Sequence, residues 1–226
     1  MPQLQKIQSP AMPLQVDIVS DVVCPWCIIG YKQLMKALAA LPGLFDLTIR
    51  WYPFELNPGM PLEGQDLREH VAQKYGTTPE QSQGARARLS ALGESLGFNF
   101  DYFDGMRMVN TFRAHQLLHW AAEEGKQTAL KLALFDAFFS QRVDVSDPEL
   151  LADVAGKVGL DRAEASAVLS DERFARAVRD EQQYWLDQEV HAVPTFYFQQ
   201  QYRVPGAQEV ETFIRLLEKI HARAST

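Results

Sequence analysis

The spacing of apolar residues along this chain changes character three times. From Leu14 to Ser20 the apolar positions run almost unbroken (Leu14, Val16, Ile18, Val19), the texture of a short strand buried on both faces. From Pro25 the period becomes helical: Ile28, Tyr31, Leu34, Met35, Leu38 and Leu41 share one face, and Pro42-Gly43 stop the helix. A second strand, Leu47 to Tyr52, ends in Pro53-Phe54. Strand, helix and strand at this spacing form a βαβ unit, so the two strands should be parallel.

From Pro58 to about Gln188 almost everything reads as helix. Thr78-Pro79-Glu80-Gln81 places an N-cap, a proline at the first helical position and a glutamine at the third. Asp147-Pro148-Glu149 repeats the device, and Asp161 starts the next helix. Residues 128–140 carry Leu130, Leu132, Leu134, Phe135, Phe138 and Phe139, apolar nearly all round, which marks a helix buried within this block. A last helix spans about 171–188. Strand texture returns at Thr195 to Phe198, turns at Gln199-Gln200 and pairs back through Tyr202-Arg203-Val204. Gly206 leads into a final amphipathic helix with Val210, Phe213, Ile214, Leu217 and Ile220 on one face. The order βαβ, helical block, ββα describes an α/β core (residues 14–60 and 189–222) interrupted by a helical insertion (61–188). Residues 1–13 read as a loose arm.

With 226 residues, 46% of them hydrophobic, the chain can bury a core without crosslinks. A net charge of −7 gives no reason to expect nucleic acid or an anionic membrane as partner. Residues 1–13 lack the apolar core of a secretory signal, and no stretch approaches the roughly 20 apolar residues of a membrane span. The expected compartment is the cytoplasm. There, two cysteines arranged as one Cys-x-x-Cys are a redox pair sooner than a structural staple.

That pair is Cys24-Pro25-Trp26-Cys27. Proline at the first helical position puts Cys24 at the N-cap and Cys27 at the third position, close enough for a disulfide. The helix end then favours a thiolate at Cys24. Bringing a thiol from about 8.5 to about 6 needs roughly 3.4 kcal/mol. A helix terminus supplies at most about 2, so hydrogen bonds from the N–H groups of Trp26 or Cys27 and from the Cys27 thiol must add the rest. Cys24 is therefore the expected nucleophile and Cys27 the resolving partner.

This order of elements resembles the thioredoxin fold carrying an inserted helical domain, and it is similar to the DsbA-like oxidoreductases, most closely their FrnE-type branch. Beyond the cysteines, the resemblance rests on Trp51-Tyr52-Pro53-Phe54-Glu55-Leu56-Asn57-Pro58, Lys74-Tyr75-Gly76, Asn110-Thr111 with Ala114-His115, Val193-Pro194-Thr195-Phe196 and Gly206-Ala207-Gln208. It implies a thiol–disulfide oxidoreductase with no bound cofactor, acting on a protein or small-molecule thiol or disulfide, with glutathione as a potential co-substrate. It implies a cis peptide before Pro194, set against the dithiol, with the Val193 backbone offered to substrate. Pro25, Trp26, Phe54 and Asn57 are expected to bind substrate, together with Asn110, His115, His191 and Thr195. Ala192 departs from the glycine usual before the Val-Pro pair, which puts substrate range in question.

Other readings compete. A zinc or iron–sulfur site would need ligands beyond two cysteines and one nearby histidine, so no metal is expected. His115 and His119 are spaced i, i+4, but without a metalloprotease glutamate between them they read more simply as boundary histidines. Arg86-Ala87-Arg88 reads as a solvated helix face. Kappa-class glutathione transferases and 2-hydroxychromene-2-carboxylate isomerases share the architecture but typically carry serine where Cys24 stands. A peptide-binding holdase is a further alternative.

Overall fold

The computed structural model describes residues 11–224. Of the expected N-terminal arm, residues 1–10 lie outside the described residues. Met12 and Pro13 already belong to the first strand, β1 (Met12–Ser20), because the Met12 N–H donates to the Leu44 carbonyl at 2.8 Å and opens the ladder two residues early.

Helix α1 (Pro25–Ala39) and strand β2 (Phe45–Pro53) complete the βαβ unit, and β1 and β2 are parallel with Ile18 opposite Trp51. After the helical block, β5 (Thr195–Phe198) runs antiparallel to β1 with Phe196 opposite Ile18, and β6 (Tyr202–Pro205) returns beside β5. The sheet order is β2-β1-β5-β6. Gln199 and Gln200 bend the hairpin with φ of 52° and 56°.

Side chains alternate across the sheet, so its two faces carry different partners. Leu14, Val16, Ile18, Phe196 and Phe198 lie on one face, where Phe213 of α9 (Val210–Ala224) packs edge-on to Phe196 with ring centroids 5.2 Å apart. Helix α1 packs against α9 on this side. On the other face Val19, Tyr52 and Tyr197 meet Trp185 of α8 (Ala175–Asp187), whose ring lies 5.0 Å from Tyr52 and 4.9 Å from Tyr197.

The block between β2 and β5 holds α2 (Leu67–Tyr75), α3 (Pro79–Ser95), α4 (Phe112–Glu123), α5 (Gln127–Phe139), α6 (Pro148–Lys157), α7 (Arg162–Asp171) and α8. Thr78 and Gln81 form a reciprocal capping box on α3, and Asp147 and Asp161 cap α6 and α7 as their spacing predicts. Two short strands escaped the reading of this block as all helix: β3 (Gln65–Asp66) pairs antiparallel with β4 (Arg107–Met108). A two-residue ladder has no period to read. One continuous apolar core joins the sheet to this block, from Ile18 and Cys27 through Trp51 to Phe135.

Gly93 of α3 lets the Phe98–Phe100 segment pass close. A β-carbon there would lie 2.5 Å from the Phe100 ring and 2.7 Å from the Phe98 carbonyl. Gly93→Ala should lower stability by about 1–3 kcal/mol in urea unfolding, despite alanine's better helix propensity. An unchanged midpoint would mean that the segment yields freely.

Candidate active site

Cys24 caps α1 with extended backbone (φ −92°, ψ 111°), Pro25 follows at the first helical position, and the Cys27 N–H donates to the Cys24 carbonyl at 3.1 Å. The Val193–Pro194 peptide is cis, and the Cys24 thiol donates to the Val193 carbonyl at 3.7 Å. The outer sulfur therefore sits between the start of α1 and the loop entering β5.

Beneath the dithiol lies a buried charged group assembled from three separate elements. Asp21, in the turn between β1 and α1, accepts from the Leu56 N–H at 2.8 Å and from His115 Nε2 at 3.2 Å. His115 Nε2 also lies 3.1 Å from the Phe54 carbonyl. Both neighbours are acceptors, so the proton of this imidazole belongs on Nε2. Lys131 of α5 is wholly buried, with Nζ 3.4 Å from the Ser20 carbonyl and over the rings of Trp51 and Phe135 at 5.5 and 5.1 Å.

These neighbours decide where charge rests. Burial works to raise the Asp21 carboxyl, but the His115 hydrogen bond, the Leu56 N–H and Lys131 together hold it below the usual range. Burial brings the Lys131 ammonium down to about 8, against the opposing pull of Cys27, Asp21 and Cys24. At the sulfurs, burial pushes the Cys24 thiol well up, and the neighbouring Cys27 adds to that. Cys27 moves the other way. Burial alone would raise it, but the Cys24 thiol, the Ser20 hydroxyl and the Lys131 charge hold it below its ordinary value. The expectation of a resting thiolate at Cys24 is thereby corrected. A helix terminus worth at most about 2 kcal/mol does not outweigh burial at the outer sulfur. The two sulfurs titrate as a pair, and the buried Lys131 charge favours the inner one.

Above the dithiol opens a cavity of about 1090 Å³, between the start of α1, the 191–193 loop and helices α2, α3, α5 and α8. Cys24, Pro25, Trp26, Phe54, His191 and Val193 all line it, as does Ala192. Cys24 is only 3% exposed and Cys27 not at all, whereas Trp26 is 47% exposed.

Four residues expected to bind substrate are placed elsewhere. His115 lies under the dithiol, because its ring is claimed by Asp21. Asn110 starts α4: its Oδ1 accepts from Phe112 N–H and its Nδ2 donates to the Met60 carbonyl. Asn57 accepts from Lys74 at 2.6 Å, and the buried Thr195 hydroxyl donates to the Ala192 carbonyl at 2.9 Å. Each spends its polar atoms holding a loop. His119 is half-buried, 3.4 Å from Glu181, whose hydrogen bond raises its pKa. Arg86 is not on a solvated face; it is half-buried and lines the cavity.

Sequence reasoning missed Lys131 and Asp21. The signal for Lys131 was present: it shares a helical stripe with Leu134, Phe135 and Phe138, the face a buried helix turns inward. Among the described residues, no cluster of three or more His, Cys, Asp or Glu could hold a metal ion. No helix among them is long and apolar enough to cross a membrane.

The profile of the DsbA-like thioredoxin domain matches residues 15–218, and the chain belongs to that family. A probable DsbA oxidoreductase from Streptomyces coelicolor is 34% identical and superimposes with a TM-score of 0.86, covering 91% of this chain and 89% of its own. The same fold, at 19% identity, is found in a 2-hydroxychromene-2-carboxylate isomerase (TM-score 0.64, covering 93% and 96%) and in the cytosolic disulfide reductase DsbM of Pseudomonas aeruginosa with GSH (0.62, covering 91% and 98%).

Two measurements probe the buried charges. Lys131→Met should cut the thiolate fraction near neutral pH by at least about tenfold, a shift of one pKa unit or more, read as slower alkylation and weaker thiolate absorbance. An unaltered titration would uncouple Lys131 from the sulfurs. Because the Asp21 carboxyl is lowered in the folded state, its contribution to stability is complete above the unfolded value of about 3.9. It is lost as pH falls through the lowered folded value. Asp21→Asn should therefore flatten the acid limb of the unfolding profile, and superimposable limbs would contradict the pairing.

Proposed function

We propose that the chain is a thiol–disulfide oxidoreductase in which Cys24 attacks and Cys27 resolves. The observation that carries this reading is the division between the sulfurs: Cys24 lines the cavity, while Cys27 lies behind it, fully buried. Access decides which sulfur meets substrate, and the buried Lys131 charge favours the inner one as the anion. Attack begins when Cys24 gives up its proton, which ends on the first substrate sulfur to depart. Cys24 Sγ then bonds to one sulfur of the substrate disulfide and the other departs with the electron pair. Next Cys27 attacks Cys24 Sγ, its proton passing to the second substrate sulfur, which leaves as a thiol as the Cys24–Cys27 disulfide closes. Two electrons have moved from protein to substrate; in reverse, the same path oxidises a dithiol.

Support for a cytoplasmic setting comes from the use of both cysteines in one redox motif and from the likeness to a cytosolic disulfide reductase. The likeness to a protein solved with GSH supports glutathione as a co-substrate that restores the dithiol. Both cysteines being kept, as the FrnE-type resemblance has it, favours redox work over the transferase and isomerase reading.

Cys24→Ser should lower disulfide reduction by at least about two orders of magnitude. Cys27→Ser should instead accumulate a mixed disulfide between Cys24 and substrate, detected by mass spectrometry of the intact protein. Full activity in Cys24→Ser would end the proposal, and glutathione conjugation that survives in it would favour the transferase chemistry.

A further inference from the structure

Three lysine and arginine side chains line the cavity, Lys74, Arg86 and Arg179, and two of them are already engaged. Lys74 donates to the Leu56 carbonyl and to Asn57 Oδ1, at 2.7 and 2.6 Å. Arg179 is bound to Glu55 and Gln182, with its guanidinium 3.7 Å from the centre of the Phe112 ring. Lys131 lies below the dithiol. Arg86 is different: it is half-buried, lines the cavity, and makes no hydrogen bond or ion pair among the described residues. Tyr102 lines the same cavity, stacked on Phe100, and its hydroxyl has no hydrogen bond among the described residues. The same cavity is lined by apolar side chains such as Leu89, Val71, Met106 and Phe138.

The size and chemistry of this space select a substrate. About 1090 Å³ is just above the range for small-molecule pockets, about 300–1,000 Å³. A disulfide on a folded protein must bring its sulfur to about 3–3.5 Å from the attacking atom. Cys24 is 3% exposed and lines the cavity, so a disulfide reaches its sulfur through that space. A small molecule entering the cavity meets the sulfur directly. One uncompensated guanidinium matches a singly charged planar anion, which it binds through two parallel N–H groups.

We infer that the substrate of this site is a small disulfide with an aromatic-sized apolar body and a carboxylate, the carboxylate held by Arg86 and Tyr102 and the sulfur presented to Cys24. The inference rests on the oxidoreductase reading. Reduction follows the steps given above: the substrate S–S bond breaks, two substrate thiols leave, and the Cys24–Cys27 disulfide forms. Two molecules of glutathione then return the protein to its reduced form and leave as glutathione disulfide.

The test follows single turnover of the reduced full-length protein with 5,5′-dithiobis(2-nitrobenzoate), an aromatic disulfide carrying carboxylates, and with 4,4′-dithiodipyridine, an aromatic disulfide without them. Insulin serves as the protein disulfide. Arg86→Leu should slow the carboxylated probe by about tenfold or more and the neutral probe by less than about twofold, and Arg86→Lys should recover part of the loss. Wild type should reduce insulin far more slowly than either small probe. A sulfur-free aromatic acid, 2-naphthoate, should protect Cys24 from iodoacetamide in the wild type but not in Arg86→Leu. Equal slowing of both probes, no slowing, or insulin turnover matching the small probes overturns the substrate assignment alone. If Cys24→Ser reacts as fast as wild type, the oxidoreductase reading falls, and the substrate assignment with it.

Discussion

A thiol pair removed from water ionises only when opposite charge is removed from water beside it. Desolvation penalises the thiolate, and a helix end offers too little to offset it. In this protein the compensating charge is Lys131, wholly buried under the dithiol, and Lys131 is in turn tolerable because Asp21 and two aromatic faces stand by it. Asp21 is held by the Leu56 N–H and by His115. Each member justifies the burial of the next, and all of them converge on two sulfurs.

This chain of dependence explains why the helical block cannot be regarded as a lid alone. Asp21 belongs to the turn that ends β1, but His115 comes from α4 and Lys131 from α5. The sheet and α1 position the sulfurs, and the block supplies the charges that set their ionisation. The same helices form the far wall of the cavity, so the ionisation of the dithiol and the shape of the space above it are governed by one set of packing contacts. The continuous core from Ile18 to Phe135 makes those contacts rigid.

The division of labour between the sulfurs has a similar origin. The outer sulfur looks into an apolar space and hydrogen-bonds only weakly to the Val193 carbonyl, so its charged form is poorly supported until a neighbour accepts the proton. The inner sulfur has the lysine and the Ser20 hydroxyl.

Much of this was legible in the order of residues, because it is local. Cys24 at the cap, Pro25 behind it and Cys27 one turn on follow from φ restriction and helix geometry within four residues, and the strands and most helix starts follow from period and capping. The local reading set Arg86 on a solvated face and the resemblance set Asn110 beside substrate, whereas a side chain's partner, not its own segment, decides whether it faces solvent, a loop or a cavity. The pairings that set the chemistry span far greater distances along the chain. Asp21 and His115 are separated by 94 positions, Ser20 and Lys131 by 111. Composition and period determined that two sulfurs would stand at a helix mouth in an α/β frame. Only the packing of α4 and α5 against that frame decided which sulfur has a buried cation beside it, because electrostatic energy in a dry interior depends on distances that no local pattern encodes.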